Sequence, residues 1–332
     1  MKKKFLIILL FSVLGFAQKE NNIWYFGNNA GISFAAVPPS GLTNGAIEAG
    51  EGAASVSDAS GNILFYTDGV TVRNANHQIM LNGSGLLGHS SSAQSAQIVQ
   101  KPGSENIFYI FTTGANPPFD SVGLNYTEVD INLDGGLGAV TATKNVNLLP
   151  VAGEQLAAVR HSNGTDVWVL ARGASDNSYY SFLVTASGVS VNPVVSATGI
   201  ALSGIVAGIM KVNTVGNKIA ETGYMSGFQL ADFNAQTGMV SNAVQIPGSD
   251  FAYGIEFSPS GQYVYTSAFA LAEVLQYDLQ ATDIAASQLQ VFSDDNIIGG
   301  ALQIGPDNKI YHVLSSEEFL NVINTPDALG PG

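Results

Sequence analysis

The sequence predicts an all-β fold: a β-propeller of seven blades of four-stranded antiparallel sheet, WD40/YVTN-like, with an incomplete closing blade. Three observations lead to this prediction. One hairpin pattern recurs along the chain, its copies are about 40 to 60 residues apart, and no 12-residue window has the period of an amphipathic helix. Propeller blades are repeats of roughly 40 to 50 residues, each a small sheet of short strands between turns.

Each copy begins with an apolar inner strand, passes through a polar turn and continues into a second strand rich in aromatic and β-branched residues. The turns contain Gly, Pro, Asn, Asp and Ser, which favour tight reversals of the backbone. Six copies have this complete form: Ala53–Gly69, Ala96–Thr113, Ala157–Ala171, Gly208–Thr222, Gly254–Ser267 and Ala301–Leu314. Their second strands are expected to begin at Ile63, Ile107, Val167, Ile219, Tyr263 and Ile310.

The two ends of the chain do not fit a simple closed ring. Ile23 fits as a seventh second strand, but no inner strand precedes it, and the last copy stops after a third strand at Phe319–Ile323. Because propellers usually close by combining strands from both termini, we expect an imperfect seam or a chain truncated at its closing strands. A Pro-containing insertion at residues 114–123 is expected to form a surface loop.

Residues 1–17 are predicted to be a signal peptide, and residues 18–332 a single propeller domain. A basic start at residues 2–4 precedes an apolar run at residues 5–16, and small residues stand before the expected cleavage site at Gln18. The apolar run is shorter than the roughly 20 residues that a membrane-spanning helix needs. The sequence therefore predicts export to the cell surface or the extracellular space, without membrane insertion.

The composition limits the partners. The formal net charge is −14, and the chain has 26 acidic residues, 12 lysines and arginines and no cysteine. An acidic field opposes binding of nucleic acid and of anionic lipid. The absence of cysteine excludes a disulfide framework and a lipid-attachment cysteine. We expect a monomer whose partner is a protein or a glycan.

Several segments together resemble the N-terminal propeller region of large secreted Bacteroidetes proteins that end in a gliding-motility-associated, type IX secretion sorting domain. The segments extend over nearly all of the chain after the signal peptide: residues 21–34, 60–88, 123–140, 160–170, 253–267, 302–313 and 319–330. The resemblance implies a propeller fold and an export route, and it implies no activity. Such proteins usually continue through further β domains to the sorting domain, which this sequence lacks.

The inner strands supply the candidate binding residues, because these strands line the central channel of a propeller. Glu51 and Glu154 each stand at the start of an inner strand. They could face each other as metal ligands or as an acid/base pair, or they could be solvated residues at the strand starts, which is the preferred interpretation. Three further residues on inner strands are expected to help shape a polar channel mouth: Arg160, His161 and Glu256.

One segment matches half of a calcium-binding loop. Asp130, Asn132 and Asp134 stand at alternate positions before Gly135, as hard oxygen ligands do in such loops. The twelfth position is Thr141 instead of the bidentate Glu, and no flanking helices are predicted. A strand that runs into a Gly-rich turn is therefore the preferred interpretation. No cofactor is expected, with calcium as the weak alternative.

The sequence contains none of the common catalytic motifs: no G-x-S-x-G, no H-E-x-x-H, no cysteine nucleophile and no phosphate-binding Gly-rich loop. The favoured function is a secreted or cell-surface, non-enzymatic binding or structural module. The alternative is a carbohydrate-active enzyme, a glycoside hydrolase or lyase, that uses the channel carboxylates. A third hypothesis is that the chain only spaces or folds a larger exported protein.

Overall fold

The computed structural model describes residues 19–115, 122–202, 206–248, 251–269, 272–295 and 297–331. The predicted signal peptide lies outside these ranges, and so do residues 116–121 of the predicted insertion loop. The described chain is nearly all β, and its only helical segments are two short 3₁₀ turns, Asp134–Gly136 and Ala285–Ser287. The prediction of an all-β fold is confirmed. None of the described residues forms a helix long and apolar enough to cross a membrane.

The strands form seven consecutive groups. The first group has three strands: β1 (Ile23–Phe26), β2 (Ala30–Ser33) and β3 (Ser40–Leu42). The second group has four: β4 (Ala54–Ser57), β5 (Ile63–Thr67), β6 (Thr71–Asn74) and β7 (Ile79–Ser84). The third group has five: β8 (Ala96–Gln100), β9 (Ile107–Thr113), β10 (Leu124–Asp130), β11 (Ala139–Val140) and β12 (Val146–Leu149).

The remaining four groups repeat the antiparallel pattern. The fourth group has five strands: β13 (Leu156–Arg160), β14 (Val167–Arg172), β15 (Ser178–Thr185), β16 (Gly188–Val189) and β17 (Val194–Ala197). The fifth group has four: β18 (Met210–Val212), β19 (Lys218–Gly223), β20 (Gly227–Asn234) and β21 (Met239–Ile246). The sixth group also has four: β22 (Ala252–Phe257), β23 (Tyr263–Ala268), β24 (Val274–Asp278) and β25 (Leu289–Phe292). The seventh has three: β26 (Gly299–Ile304), β27 (Ile310–Leu314) and β28 (Leu320–Ile323).

The register of the hairpins agrees with the sequence. Five of the six second strands begin at the expected residue, and β19 begins one residue earlier, at Lys218. A parallel pairing of β7 with β11, through Leu81 and Ala139, joins the second and third groups into one nine-stranded sheet. Because two groups share a sheet, the count of seven separate blades stays a prediction.

The strands that begin groups two to seven are called the inner strands: β4, β8, β13, β18, β22 and β26. Antiparallel pairing places the start of each inner strand beside the end of the second strand, as Met210 pairs with Glu221 and Ala252 with Ala268. The end of the molecule where the inner strands begin is called the upper face, and the opposite end is called the lower face. The hairpin turns between inner and second strands all lie at the lower face.

The hydrophobic core lies between neighbouring groups. Phe65 of β5 packs edge to face on Phe108 of β9, with ring centroids 5.5 Å apart. Phe111 of the third group, which is fully buried, belongs to one cluster with Leu156 and Phe182 of the fourth group. Burying a side chain of this size contributes about 1.5 to 3 kcal/mol. The aromatic residues of the second strands therefore pack between successive groups.

The first and seventh groups meet through aromatic side chains. The ring centroids of Trp24 and Phe34 are 4.8 Å apart, and Tyr311 of β27 lies 5.7 Å from Trp24 and 5.4 Å from Phe34. Among the described residues, no strand of the first group pairs with a strand of the seventh. The two ends of the described chain are therefore in contact by packing, without a shared sheet.

The segment after β28 returns to the sixth group. Tyr265 Oη donates to the carbonyl of Pro326 at 2.9 Å, and Gln276 Nε2 donates to the carbonyl of Ala328 at 2.7 Å. The amide of Gly330 donates to Gln276 Oε1 at 2.9 Å. Tyr265 and Gln276 are buried. Residues 326–330 thus supply hydrogen-bond partners to polar groups on β23 and β24.

Candidate binding site at the upper face

Residues 91–94, called the 91–94 loop, lead into β8 and bond to the inner strands of two other groups at the upper face. The amide of Ala93 donates to Glu154 Oε2 at 2.7 Å. Gln94 Oε1 accepts from the amide of Leu156 at 2.8 Å and from that of Met210 at 2.7 Å. Since Leu156 and Met210 begin the inner strands of the fourth and fifth groups, Gln94 connects three groups. This loop therefore connects the starts of the inner strands β13 and β18 at the upper face.

Glu51 is half-buried and connects the second group to the sixth. Its carboxylate accepts from Ser91 Oγ at 2.9 Å and from Tyr253 Oη at 2.7 Å. The pKa of Tyr253 is raised by burial first, and then by the negative charges of Glu51 and Glu154. Both predicted carboxylates are therefore near Tyr253. The preferred interpretation of solvated strand-start residues is wrong for Glu154, which is 1% exposed because the 91–94 loop covers it.

Glu256 lies on the inner strand β22, and it is buried. Glu256 Oε2 is 3.0 Å from Lys211 Nζ and accepts from the amide of Ile304 at 3.0 Å. Glu256 Oε1 accepts from the amide of Phe257 at 3.0 Å. This carboxylate thus fixes β18 and β26 to β22, and it does not reach the upper mouth.

Arg160 and His161 do not join the other predicted residues. Arg160 ends β13 at the lower face and His161 follows it; there Arg160 Nη1 donates to the carbonyl of Gly164 at 3.2 Å and His161 Nδ1 accepts from the amide of Asn163 at 3.0 Å. A strand advances about 3.3 Å per residue, so the two ends of β13 lie roughly 13 Å apart, with Glu154 before the upper end. The prediction of one channel mouth shaped by all five residues is wrong, because the inner strand separates its two ends.

The calcium hypothesis finds no further support from the geometry. Asp130 ends β10, and its Oδ1 accepts from the amide of Asn132 at 2.9 Å. Asp134 has a positive φ of 51° and begins a 3₁₀ turn with Gly135. This is the strand and Gly-rich turn that the preferred interpretation describes. Within the described ranges, no three His, Asp or Glu side chains are grouped as a metal site.

Sequence reasoning missed a buried polar cluster between the fourth and fifth groups. Arg172 Nε lies 2.9 Å from Glu221 Oε1, and the guanidinium carbon lies 4.3 Å from the ring centroid of Tyr179. Tyr179 Oη donates to Glu221 at 3.0 Å, and Gln229 also donates to this carboxylate. Burial raises the pKa of Glu221, whereas Arg172 acts in the opposite direction. The sequence did contain a signal for this cluster, because Arg172 and Glu221 are charged residues within the strands β14 and β19.

Sequence reasoning also missed a row of aromatic rings at the upper face. Tyr224 lies 5.7 Å from Phe251 and 5.6 Å from Phe269, between ring centroids, and Phe269 lies 5.4 Å from Tyr253. Phe251 is 47% exposed and Phe269 is 37% exposed. These four residues are called the aromatic row. Tyr253 forms the inner end of the row, and its hydroxyl donates to Glu51. The other three rings continue from Tyr253 towards the surface.

No family profile and no curated protein matches the sequence. Among solved structures, the β-propeller domain of Cps50 (Swd1) from Myceliophteria thermophila matches with a TM-score of 0.55 at 9% identity, over 92% of this chain and 94% of that one. A luciferin-regenerating enzyme matches with a TM-score of 0.47 at 13% identity, over 84% of this chain and 91% of that one. The first likeness, together with the successive antiparallel groups, shows that the chain has a β-propeller fold. It shows nothing about activity, because one fold carries many functions.

Proposed function

We propose that the protein is an exported, non-enzymatic β-propeller that binds a partner through its upper face. The observation that carries the proposal is the aromatic row, since Phe251 and Phe269 expose large apolar rings beside the end of the channel. Loops positioned by a rigid sheet scaffold commonly carry binding sites. The resemblance of the sequence to secreted type IX propeller regions, and its predicted signal peptide, support a location at or beyond the cell surface.

The carboxylates favour binding over catalysis. A general acid or base must reach the substrate proton at hydrogen-bond distance. Glu154 is buried and holds the amide of Ala93, and Glu256 is buried and holds Lys211 and two amides. Glu51 already accepts hydrogen bonds from Ser91 and Tyr253. These carboxylates have structural partners that a reaction would have to displace.

A polysaccharide panel tests this proposal against the carbohydrate-active alternative. The chain is expressed with its own residues 1–17, the exported product is purified, and its N-terminal residue is determined, which we expect to be Gln18. Release of reducing ends or unsaturated products is then measured with and without divalent metal. We expect no turnover. Turnover that disappears in Glu51→Gln or Glu154→Gln would establish the enzyme and overturn the proposal, as would retention of the chain inside the cell.

A further inference from the structure

We propose that the upper face binds an arginine-rich segment of a partner protein, with guanidinium groups stacked on the aromatic row. This inference rests on the proposed function, because it names the ligand of the same binding face. Three features of the described residues carry it: the exposed rings, a strained backbone beside them and the sign of the charge around them.

The first feature is the exposure of the rings. Tyr224, Phe251 and Phe269 come from three separate connections, and they contact one another at the surface. Tyr253 continues the row inward, and its hydroxyl donates to Glu51. The faces of aromatic rings attract cations, and arginine stacks on them better than lysine because its guanidinium is planar and weakly hydrated. The row thus offers ring faces beside a carboxylate.

The second feature is the backbone of Phe251. This residue has a φ of +64°, in the left-handed region that bulky side chains rarely adopt. The amide of Phe269 donates to the carbonyl of Phe251 at 3.3 Å and helps to hold this conformation. Strained residues of this kind cost stability and cluster at ligand sites. The strained backbone of Phe251 holds its exposed ring in the aromatic row. Because the ring is exposed, this position contributes little to the stability of the fold.

The third feature is the charge of the upper face. The described connections that lead into the inner strands or follow the second strands contain no lysine or arginine, and Lys144 donates to the carbonyl of Ser84 at the end of β7. Lysines and an arginine stand at the lower face: Lys19, Lys101, Arg160 and Lys309. Carboxylates stand on the connections at this face: Glu48, Glu51, Asp68, Asp176, Glu273, Asp295, Glu317 and Glu318 on the upper face. A surface of one sign attracts ligands of the opposite sign and raises their rate of association. The ligand is therefore cationic.

The interior of the protein already contains the same chemistry. The guanidinium of Arg172 lies over the ring of Tyr179 and contacts the carboxylate of Glu221. The upper face presents the exposed rings of Phe251 and Phe269 and, through the buried Tyr253, the half-buried carboxylate of Glu51. No lysine or arginine of the described connections that lead into the inner strands or follow the second strands supplies a cation there. An arginine from a partner would complete this arrangement. A neutral glycan would use the rings and would gain nothing from the negative charge.

The test measures binding of short fluorescein-labelled peptides by fluorescence anisotropy at low salt. One peptide alternates Arg and Gly, a second replaces Arg by Lys, and a third replaces Arg by Glu. We expect the Arg peptide to bind more tightly than the Lys peptide, and the Glu peptide not to bind. Equal affinity for the Arg and Lys peptides would mean attraction by charge alone, and it would overturn the proposal.

Two variants of unchanged charge locate the site. Phe251→Leu with Phe269→Leu keeps apolar side chains but removes the ring faces, and we expect it to bind the Arg peptide about tenfold more weakly. Phe319→Leu is the matched control, because Phe319 is an exposed phenylalanine of the upper face outside the row. Equal affinities for the two variants, or tighter binding of an uncharged oligosaccharide than of the Arg peptide, would refute the inference. Thermal melts confirm that both variants fold. The peptide-binding results do not depend on the measurement of polysaccharide turnover.

Discussion

The two faces of this propeller keep their polar groups satisfied in different ways. At the lower face, the hairpin turns bond mainly within themselves, as Asp58 Oδ1 does by accepting from the amides of Ser60 and Asn62, and some also bond to a neighbouring turn, as Thr214 does with the carbonyl of Pro259. At the upper face, side chains bond across groups, as Gln94 does with Leu156 and Met210. The difference teaches that the hairpins fix each sheet locally, whereas the upper face fixes the sheets to one another.

The largest expected effect is at the buried ion pair. Arg172→Met leaves the Glu221 carboxylate buried without its cation, so we expect the free energy of unfolding to fall by about 3–5 kcal/mol. The control is Lys218→Met. Lys218 and Asp232 form an ion pair whose side chains are 50% and 39% exposed, and exposed pairs contribute about 0–1 kcal/mol. Urea unfolding of both variants measures the difference. Equal losses would contradict the view that buried contacts between groups stabilise the protein more than exposed ion pairs do.

The next effect is a pH dependence that depends on His312. This side chain of β27 is 1% exposed, and burial lowers its pKa to about 4, against roughly 6.5 in the unfolded chain. The unfolded chain therefore binds more protons between these values. Stability from this residue is complete above pH 6.5 and falls as the pH drops towards 4, by on the order of 3 kcal/mol.

His312→Leu should remove this part of the pH dependence. His161→Gln is the control for replacing a histidine, because His161 is partly exposed at the lower face. Urea midpoints between pH 4 and pH 7 measure all three proteins. Carboxylates titrate in the same range, so the test is the difference between wild type and variant. Parallel curves for wild type and His312→Leu would contradict the assigned pKa.

The smallest effect is expected at a lower-face turn. Asp58→Ala removes the acceptor for two turn amides, and because the turn is open to water we expect a loss of about 1 kcal/mol. Asp58→Asn keeps an oxygen acceptor and should lose less. Urea unfolding of the two variants provides the measurement. A loss as large as that of Arg172→Met would mean that the turns hold the groups together.

The sequence was sufficient for the local part of this fold and insufficient for its upper face. Turn residues and alternation are local signals, so strands such as those beginning at Ile63 and Tyr263 could be predicted to the residue. The parallel pairing of Leu81 with Ala139 joins residues distant in sequence, and no local pattern specifies it. Alternation alone does not say which groups share a sheet.

The same limit explains the site predictions. Glu51 and Glu154 could be placed at inner-strand starts, but the loop that buries Glu154 comes from another group, through Ala93. Arg160 is grouped with them in the prediction because it lies on an inner strand, but it stands at the end of that strand, at the lower face. Tyr224, Phe251 and Phe269 come from three connections, so their contact depends on tertiary structure.

The aromatic contacts between the first and seventh groups are expected to form late in folding. Strands within each group are close in sequence and can pair early, whereas Trp24 and Phe34 meet Tyr311 only after all the intervening groups are in place. Contacts that close so long a loop are made late, because the entropy of closure has to be offset by structure already formed. Trp24 is one of two tryptophans, so its fluorescence is a natural reporter of ring closure as a kinetic event.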